Sequence, residues 1–225
     1  MERASRGGAG AGRADDRSQP MTVRARIVAQ FRQPHGPLGR LAGAIMAHRP
    51  SNRARNSWTV RLLDLHPEDH VLEFGCGPGV ALEACLAAMP AGRAVGIDHS
   101  PVMIGQAARR LRAGLADGRL SLQAGGLELL DGYNGAFDRV FSVNVVQFLP
   151  DLDATFAKIR AALKPGGRAA TSYMPRTRNP SREDALRMAG RISRAMAAAG
   201  LVDLRTEELP LTPVPAICVL GRRAD

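Results

Sequence analysis

The densest chemistry in this 225-residue sequence lies in Glu73-Phe74-Gly75-Cys76-Gly77-Pro78-Gly79. Alternating glycines let a backbone turn sharply and approach a ligand closely. The segment follows a short apolar run, His70–Phe74, and opens a helical pattern, so the unpaired N–H groups of the helix start face the same space. A dinucleotide-binding loop spaced G-x-G-x-x-G/A would need Gly or Ala at position 80. The sequence has Val80. An acid two residues before the first glycine is also foreign to that fingerprint, and Glu73 suits a ligand carrying an ammonium group. Its alternative is to cap a neighbouring loop. The second group is Asp98, which ends the run Ala94-Val95-Gly96-Ile97, one helix and one strand beyond the glycines. That separation sets its carboxylate beside the loop, where two oxygens can accept both hydroxyls of a ribose. Its alternative is to cap the helix that starts near Pro101.

These residues need a frame, and the periodicity supplies one. Strands are expected at 70–74, 93–97, 119–124, 138–143, 167–173, 201–208 and 214–221. Helices are expected at 79–89, 101–114, 151–163 and 181–199. Such alternation implies an α/β fold: a seven-stranded, mostly parallel sheet with helices on both faces and an antiparallel last strand. The last two strands leave no room for a helix between them and should form a hairpin at one edge. Before the first strand the pattern is helical. Val23, Ile27 and Phe31 recur every fourth residue, Leu38, Leu41, Ile45 and Met46 make a second stripe, and Ser51 is placed to cap a third helix through Trp58 to Leu65. Three regions result: a basic tail at 1–20 with almost nothing to bury, a helical arm at 21–65, and the α/β domain at 66–225.

Composition narrows the function classes. The net charge is +10, and residues 1–61 hold 12 arginines against three acids. The excess therefore belongs to the N-terminal arm. It is either a solvated tail or an attraction toward an anionic substrate, nucleic acid or membrane surface. Aromatic residues are only 4%, too few for rows of base-stacking platforms. No apolar run reaches the ~18 residues of a membrane span, and the start lacks the apolar core of a secretory signal. Cys76, Cys85 and Cys218 are scattered, as free thiols in a reducing, cytoplasmic compartment would be, and no metal-ligand cluster is present.

The E-x-G-x-G-x-G segment resembles motif I of the class I S-adenosylmethionine (SAM)-dependent methyltransferases, in their small-molecule branch. Four further elements fit, over roughly residues 36–222. Asp98 resembles the family's ribose-binding acid, followed by adenine-flanking positions that here are His99 and Met103. Met103 could equally be core. Leu122-Gln123-Ala124-Gly125-Gly126-Leu127 stands where the family often has G-D-A or G-N-A. A polar side chain is thus replaced by Gly126, leaving the backbone of Gly126 and Leu127 to reach adenine at the loss of one hydrogen bond, roughly 1 kcal/mol. Phe137–Leu149 resembles motif IV, with Val143 as a backbone contact to the cofactor, but has Gln147-Phe148 where the family often has Glu-His. Asn144 there could bind substrate or tie a loop. Leu163-Lys164-Pro165-Gly166-Gly167 resembles the family's turn before the fifth strand.

The resemblance implies SAM as cofactor, S-adenosylhomocysteine (SAH) as product, backbone contacts from Gly75, Cys76, Gly77 and Gly79, and Glu73 acting on the cofactor's amino group. It implies a small-molecule methyl acceptor. Arg176 and Arg178, between the fifth strand and the next helix, would suit an anionic one or are a solvated basic loop. The alternatives are an RNA methyltransferase using the arginine arm and a SAM-binding regulator without turnover. No catalytic base is identified; His35, His48, Tyr133 and Tyr173 are the candidates. In similar enzymes such an arm, here 21–65, folds over the cofactor as a lid, which would set His48, Arg49, Asn56 and Trp58 toward the acceptor; the alternative for Trp58 is the core.

Overall fold

The computed structural model describes residues 50–225. The expected helices between Met21 and Met46, and with them His35, His48 and Arg49, lie outside the described residues. Helix α1 (Pro50–Leu62) leads into β1 (His70–Phe74), α2 (Val80–Ala88), β2 (Arg93–Asp98), α3 (Pro101–Arg110), α4 (Arg112–Ala116) and β3 (Leu120–Ala124). A 3₁₀ turn (Leu127–Gly132) precedes β4 (Phe137–Val143), and another (Val146–Phe148) precedes α5 (Leu152–Ala162). Then follow β5 (Leu163–Tyr173), α6 (Arg182–Ala198), β6 (Leu201–Leu209) and β7 (Ala216–Arg223).

The seven strands form one sheet in the order β3-β2-β1-β4-β5-β7-β6. The first five pair in parallel, and β7 runs antiparallel to both β5 and β6. The expected edge hairpin is present, with β7 inserted and β6 outermost. Strand β6 carries Asp203, Arg205, Glu207 and Glu208, charges that discourage edge-to-edge pairing.

Alternation along the strands sends side chains to two apolar layers. One layer joins Leu72, Phe74, Val140, Phe156 and Ile192 beneath α5 and α6. The other joins Trp58, Val71, Leu82, Phe141 and Ala170 beneath α1 and α2. Trp58 is therefore core and not a ligand platform. Helix α1 runs antiparallel to the strands. Its end is fixed low on the sheet, where Arg139 Nε donates to the Leu63 carbonyl at 2.9 Å. Its middle is fixed by a 2.5 Å hydrogen bond between Thr59 Oγ1 and Ser172 Oγ. Arg55 reaches Met174, just beyond the carboxyl end of β5.

Three expectations need correction. Ser51 lies inside α1, whose described part starts at Pro50, and is not its cap. The helix expected at 101–114 breaks at Leu111 into α3 and α4, and Gly114 packs so close to Leu86 that a Cβ would stand 2.9 Å from its Cδ1. The turn expected at Lys164–Gly167 is instead the irregular start of β5. Phe137 pairs with Leu163, the register shifts, and regular pairing resumes at Arg139–Arg168. Gly166 takes the left-handed conformation that this bulge needs (φ +74°).

Candidate cofactor and acceptor site

The glycine loop turns directly off β1. Gly75, Gly77 and Gly79 all have positive φ, at +66°, +52° and +78°. At Gly75 a side chain is also excluded by contact, since a Cβ would lie 2.3 Å from Val145 Cγ2. At Gly77 the opposite holds: among the described residues no atom beyond its chain neighbours lies within 4 Å of where a Cβ would be, so these residues leave that face of the loop open. The loop is pinned by Cys76 N donating to the Ile97 carbonyl at 3.0 Å and by Gly79 N donating to the Cys76 carbonyl at 3.0 Å.

Asp98 meets this loop as the spacing predicts. Its Oδ2 accepts the Gly77 N–H at 2.8 Å, and its Oδ1 accepts the Ser100 N–H at 2.9 Å. A carboxylate oxygen has two lone-pair directions, so each retains acceptor capacity for a hydroxyl. Asp98 is not the cap of α3. That role falls to Ser100, whose hydroxyl accepts the Met103 N–H at 3.4 Å. Burial raises the Asp98 pKa, against the lowering influence of the Ser100 and Gly77 N–H groups.

Glu73 lies under the loop, 2% exposed, with Oε2 lacking a hydrogen-bond partner among the described residues. Burial, then the Asp98 charge, push its carboxyl well above the usual range. Burial and the Asp98 charge both disfavour ionised Glu73, so a cation beside the pair would favour its carboxylate form.

The remaining expected residues lie on the strand ends and loops next to these groups. His99 is half exposed, with Nδ1 at 3.6 Å from Asp98 Oδ1. Met103 is buried yet belongs to neither apolar layer. Gly125 N donates to the Asp98 carbonyl at 3.0 Å, which brings Gly126 and Leu127 to the end of β2. Gly126 N is taken by the Glu128 carboxylate at 2.7 Å. Val143 ends β4, and Cys76 sits buried in the loop.

Asn144, left open between substrate and loop roles, ties the strand ends together. It adopts positive φ (+61°), its N–H donates to the Ser172 carbonyl at 2.8 Å, and its Oδ1 accepts the Met174 N–H at 2.7 Å. Gln147 Nε2 donates to the Asn144 carbonyl at 2.7 Å. Asn56 is buried, and its Nδ2 donates to the Asn52 carbonyl at 2.7 Å. Of the tyrosines, Tyr133 shares a 2.6 Å hydrogen bond with Gln123. Tyr173 is buried, and burial followed by Asp184 pushes its phenol up, so it stays protonated near neutrality. Arg176 and Arg178 lie exposed after β5.

Sequence reasoning missed two contributors. Arg110, on α3, donates from Nε to the Pro78 carbonyl at 3.0 Å and from Nη1 to Glu83 at 3.1 Å, tying α3 to the glycine loop and to α2. Arg55 is 1% exposed, with a pKa lowered to about 9 by burial and then by Arg176. Neither carries a local signal, because each partner is set by tertiary packing. Among the described residues no helix is long and apolar enough to cross a membrane.

Comparison with known proteins agrees with this geometry. Residues 71–167 match the family model described as a methyltransferase domain. The chain is 30% identical over 183 residues to the uncharacterized methyltransferase YdaC of Bacillus subtilis, covering 81% of this chain and 98% of that one. It is 30% identical over 136 residues to a trans-aconitate 2-methyltransferase of Methylobacterium nodulans, spanning 60% of this chain and half of that one. In fold it is similar to geranyl diphosphate C-methyltransferase of Streptomyces coelicolor, with TM-score 0.61, 19% identity, and 77% and 76% of the two chains covered. It is also similar to a Galdieria sulphuraria protein described as a sarcosine dimethylglycine methyltransferase, with TM-score 0.62, 16% identity, and 77% and 87% covered. By sequence and by fold, the chain belongs to the class I SAM-dependent methyltransferases.

Proposed function

We propose that this enzyme transfers the methyl group of SAM to a small-molecule acceptor, with the cofactor gripped between the glycine loop and Asp98. The observation that carries this is the 2.8 Å bond from Gly77 N to Asp98 Oδ2 beside the open face of Gly77. It sets a bare backbone and a carboxylate with spare lone pairs on the same space. The residues fit a cationic nucleoside. Asp98 takes the ribose hydroxyls, and the unpartnered Glu73 Oε2 faces the charge of the amino group and sulfonium. Gly75, Cys76, Gly77 and Gly79 supply backbone to the methionine and ribose portions. His99, Met103, Gly126 and Leu127 flank the adenine, and Val143 lies near the methyl.

When bound, SAM supplies a methyl activated on sulfur, and transfer is an in-line displacement at that carbon. The protein's part is to align the acceptor at roughly 3 Å from the methyl and to exclude water. Asn144 and Gln147 order the end of β4, where the acceptor must approach. Of the candidate bases among the described residues, the Tyr133 hydroxyl accepts a hydrogen bond from Gln123 Nε2 and Tyr173 is held protonated. The relatives that act on trans-aconitate and geranyl diphosphate take small acceptors, which supports a small-molecule substrate here. The test is calorimetry with SAH, followed by transfer of label from SAM into the low-molecular-weight fraction of a cell extract. Saturable SAH binding with labelled small molecules is expected. Label entering only RNA, or no SAH binding, would refute the proposal.

A further inference from the structure

Among the described residues, four buried side-chain polar atoms lack a hydrogen-bond partner: Arg55 Nε, Glu73 Oε2, Gln147 Oε1 and Arg160 Nε. Leaving such an atom unpaired is costly, so each one asks for a partner. Three of the four stand at the carboxyl edge of the sheet, where open α/β folds bind ligands. Glu73 belongs to the cofactor end. Arg55 and Gln147 do not.

Those two are the ends of one short network. Arg55 Nη1 contacts Met174 Sδ at 3.2 Å, Met174 N donates to Asn144 Oδ1 at 2.7 Å, and Gln147 Nε2 donates to the Asn144 carbonyl at 2.7 Å. Among the described residues Arg55 has no carboxylate partner. Its other contact is Asn52 Oδ1, at 2.7 Å from Nη2. A thioether and an amide leave a guanidinium's charge uncompensated, and a buried uncompensated charge is retained against its desolvation penalty. Arg176, on the segment after β5, adds a second positive charge nearby. The strand order fixes where this lies. Asp98 ends β2 and Met174 follows β5, three inter-strand spacings away, about 14 Å. With the ribose at β2 and the amino group at β1, Arg55 and Gln147 lie on the side away from the ribose, beyond the methyl.

We propose that Arg55 and Gln147 form an oxyanion-recognising acceptor subsite: the guanidinium takes a carboxylate or phosphate of the methyl acceptor, and the Gln147 amide oxygen takes a hydrogen-bond donor on the same molecule. This rests on the methyltransferase reading above and names the class of acceptor it serves.

The test is titration of malonate and of inorganic phosphate into SAH-saturated protein, comparing wild type with Arg55→Met and Arg55→Lys. Wild type binds one of the two anions saturably, and preference between them separates a carboxylate from a phosphoryl acceptor. Arg55→Met weakens that binding at least tenfold, keeps SAH affinity within twofold, and melts no lower than wild type, because removing an unpaired buried charge relieves its desolvation. Arg55→Lys restores part of the anion affinity. Failure of both anions to bind, or equal binding by Arg55→Met, would overturn the proposal. So would a parallel tenfold loss of SAH affinity, which would assign Arg55 to the cofactor's own carboxylate. Wild type that does not bind SAH at all would instead sink the methyltransferase reading, and the subsite with it.

Discussion

Replacing Glu73 by Gln separates a binding carboxylate from a structural one, because the two roles predict opposite signs. Glu73 is 2% exposed, has one oxygen without a partner, and shares its surroundings with Asp98. Its folded pKa lies above the unfolded value, so its ionised form destabilises the fold. The protonated form is favoured below the ordinary carboxylate range, and that advantage is lost as pH rises through the raised folded pKa. Glutamine keeps the shape and removes the charge. Glu73→Gln should therefore match wild type in acid and become the more stable protein as pH rises. The gain should be about 1–3 kcal/mol, the order of the desolvation penalty of the buried charge that glutamine lacks. For a domain of this size that is roughly 3–10 °C in Tm. SAM affinity should fall, by about 1.5–3 kcal/mol for a lost charged hydrogen bond. Melting curves at stepped pH and calorimetry with SAM measure both. Wild-type calorimetry in buffers of different ionisation enthalpy should also show proton release on binding. A variant that melts lower than wild type and binds SAM unchanged would refute this reasoning and make Glu73 a cap for its neighbouring loop.

Asp98→Ala should weaken SAM binding by roughly 2–3 kcal/mol and also destabilise the loop, since the Gly77 and Ser100 N–H groups both lose their acceptor; unchanged affinity by calorimetry would remove Asp98 from the site. Gly77→Val projects into open space, so the protein should still fold, at a loss of about 1–2 kcal/mol for the left-handed backbone, yet fail to bind SAM. Gly75→Ala collides with Val145 and should melt lower, with partial recovery in the Gly75→Ala, Val145→Ala double variant. Lys164→Met removes a partly exposed pair with Asp138, worth under about 1 kcal/mol. Burial raises the Asp138 pKa, but the Lys164 and His70 bonds outweigh it and hold it low. The difference in Tm should thus be present near neutrality and vanish as pH falls through that lowered value.

Much of the sheet was legible because strand and helix periods differ and the glycines punctuate them. The apolar run His70–Phe74 coincides with β1, and one helix plus one strand is a length that sets Asp98 beside the glycine loop. What failed was decided by tertiary contacts. The start of β5 looked like a free turn because Pro165 and Gly166 are turn residues, yet pairing with Phe137 and the Lys164–Asp138 bond draw them into the sheet. The break at Leu111 carries no local glycine or proline signal, and the close packing of Gly114 on Leu86 just beyond it is set by the fold. At the site, local motifs pointed to the cofactor end, which is built from contiguous loops. They were silent on Arg55 and Arg110, whose partners lie 119 and 32 residues away. A charge count put Arg55 in a basic arm; only burial shows that it differs from its exposed neighbours Arg53 and Arg61.

The most direct measurement is a crystal structure of the protein grown with SAH. The nucleoside should lie at the carboxyl edge, with both ribose hydroxyls within hydrogen-bond distance of the Asp98 carboxylate and the open face of Gly77 covered by the ligand. Density for SAH elsewhere, or an Asp98 carboxylate still bonded only to Gly77 and Ser100, would contradict the central claim.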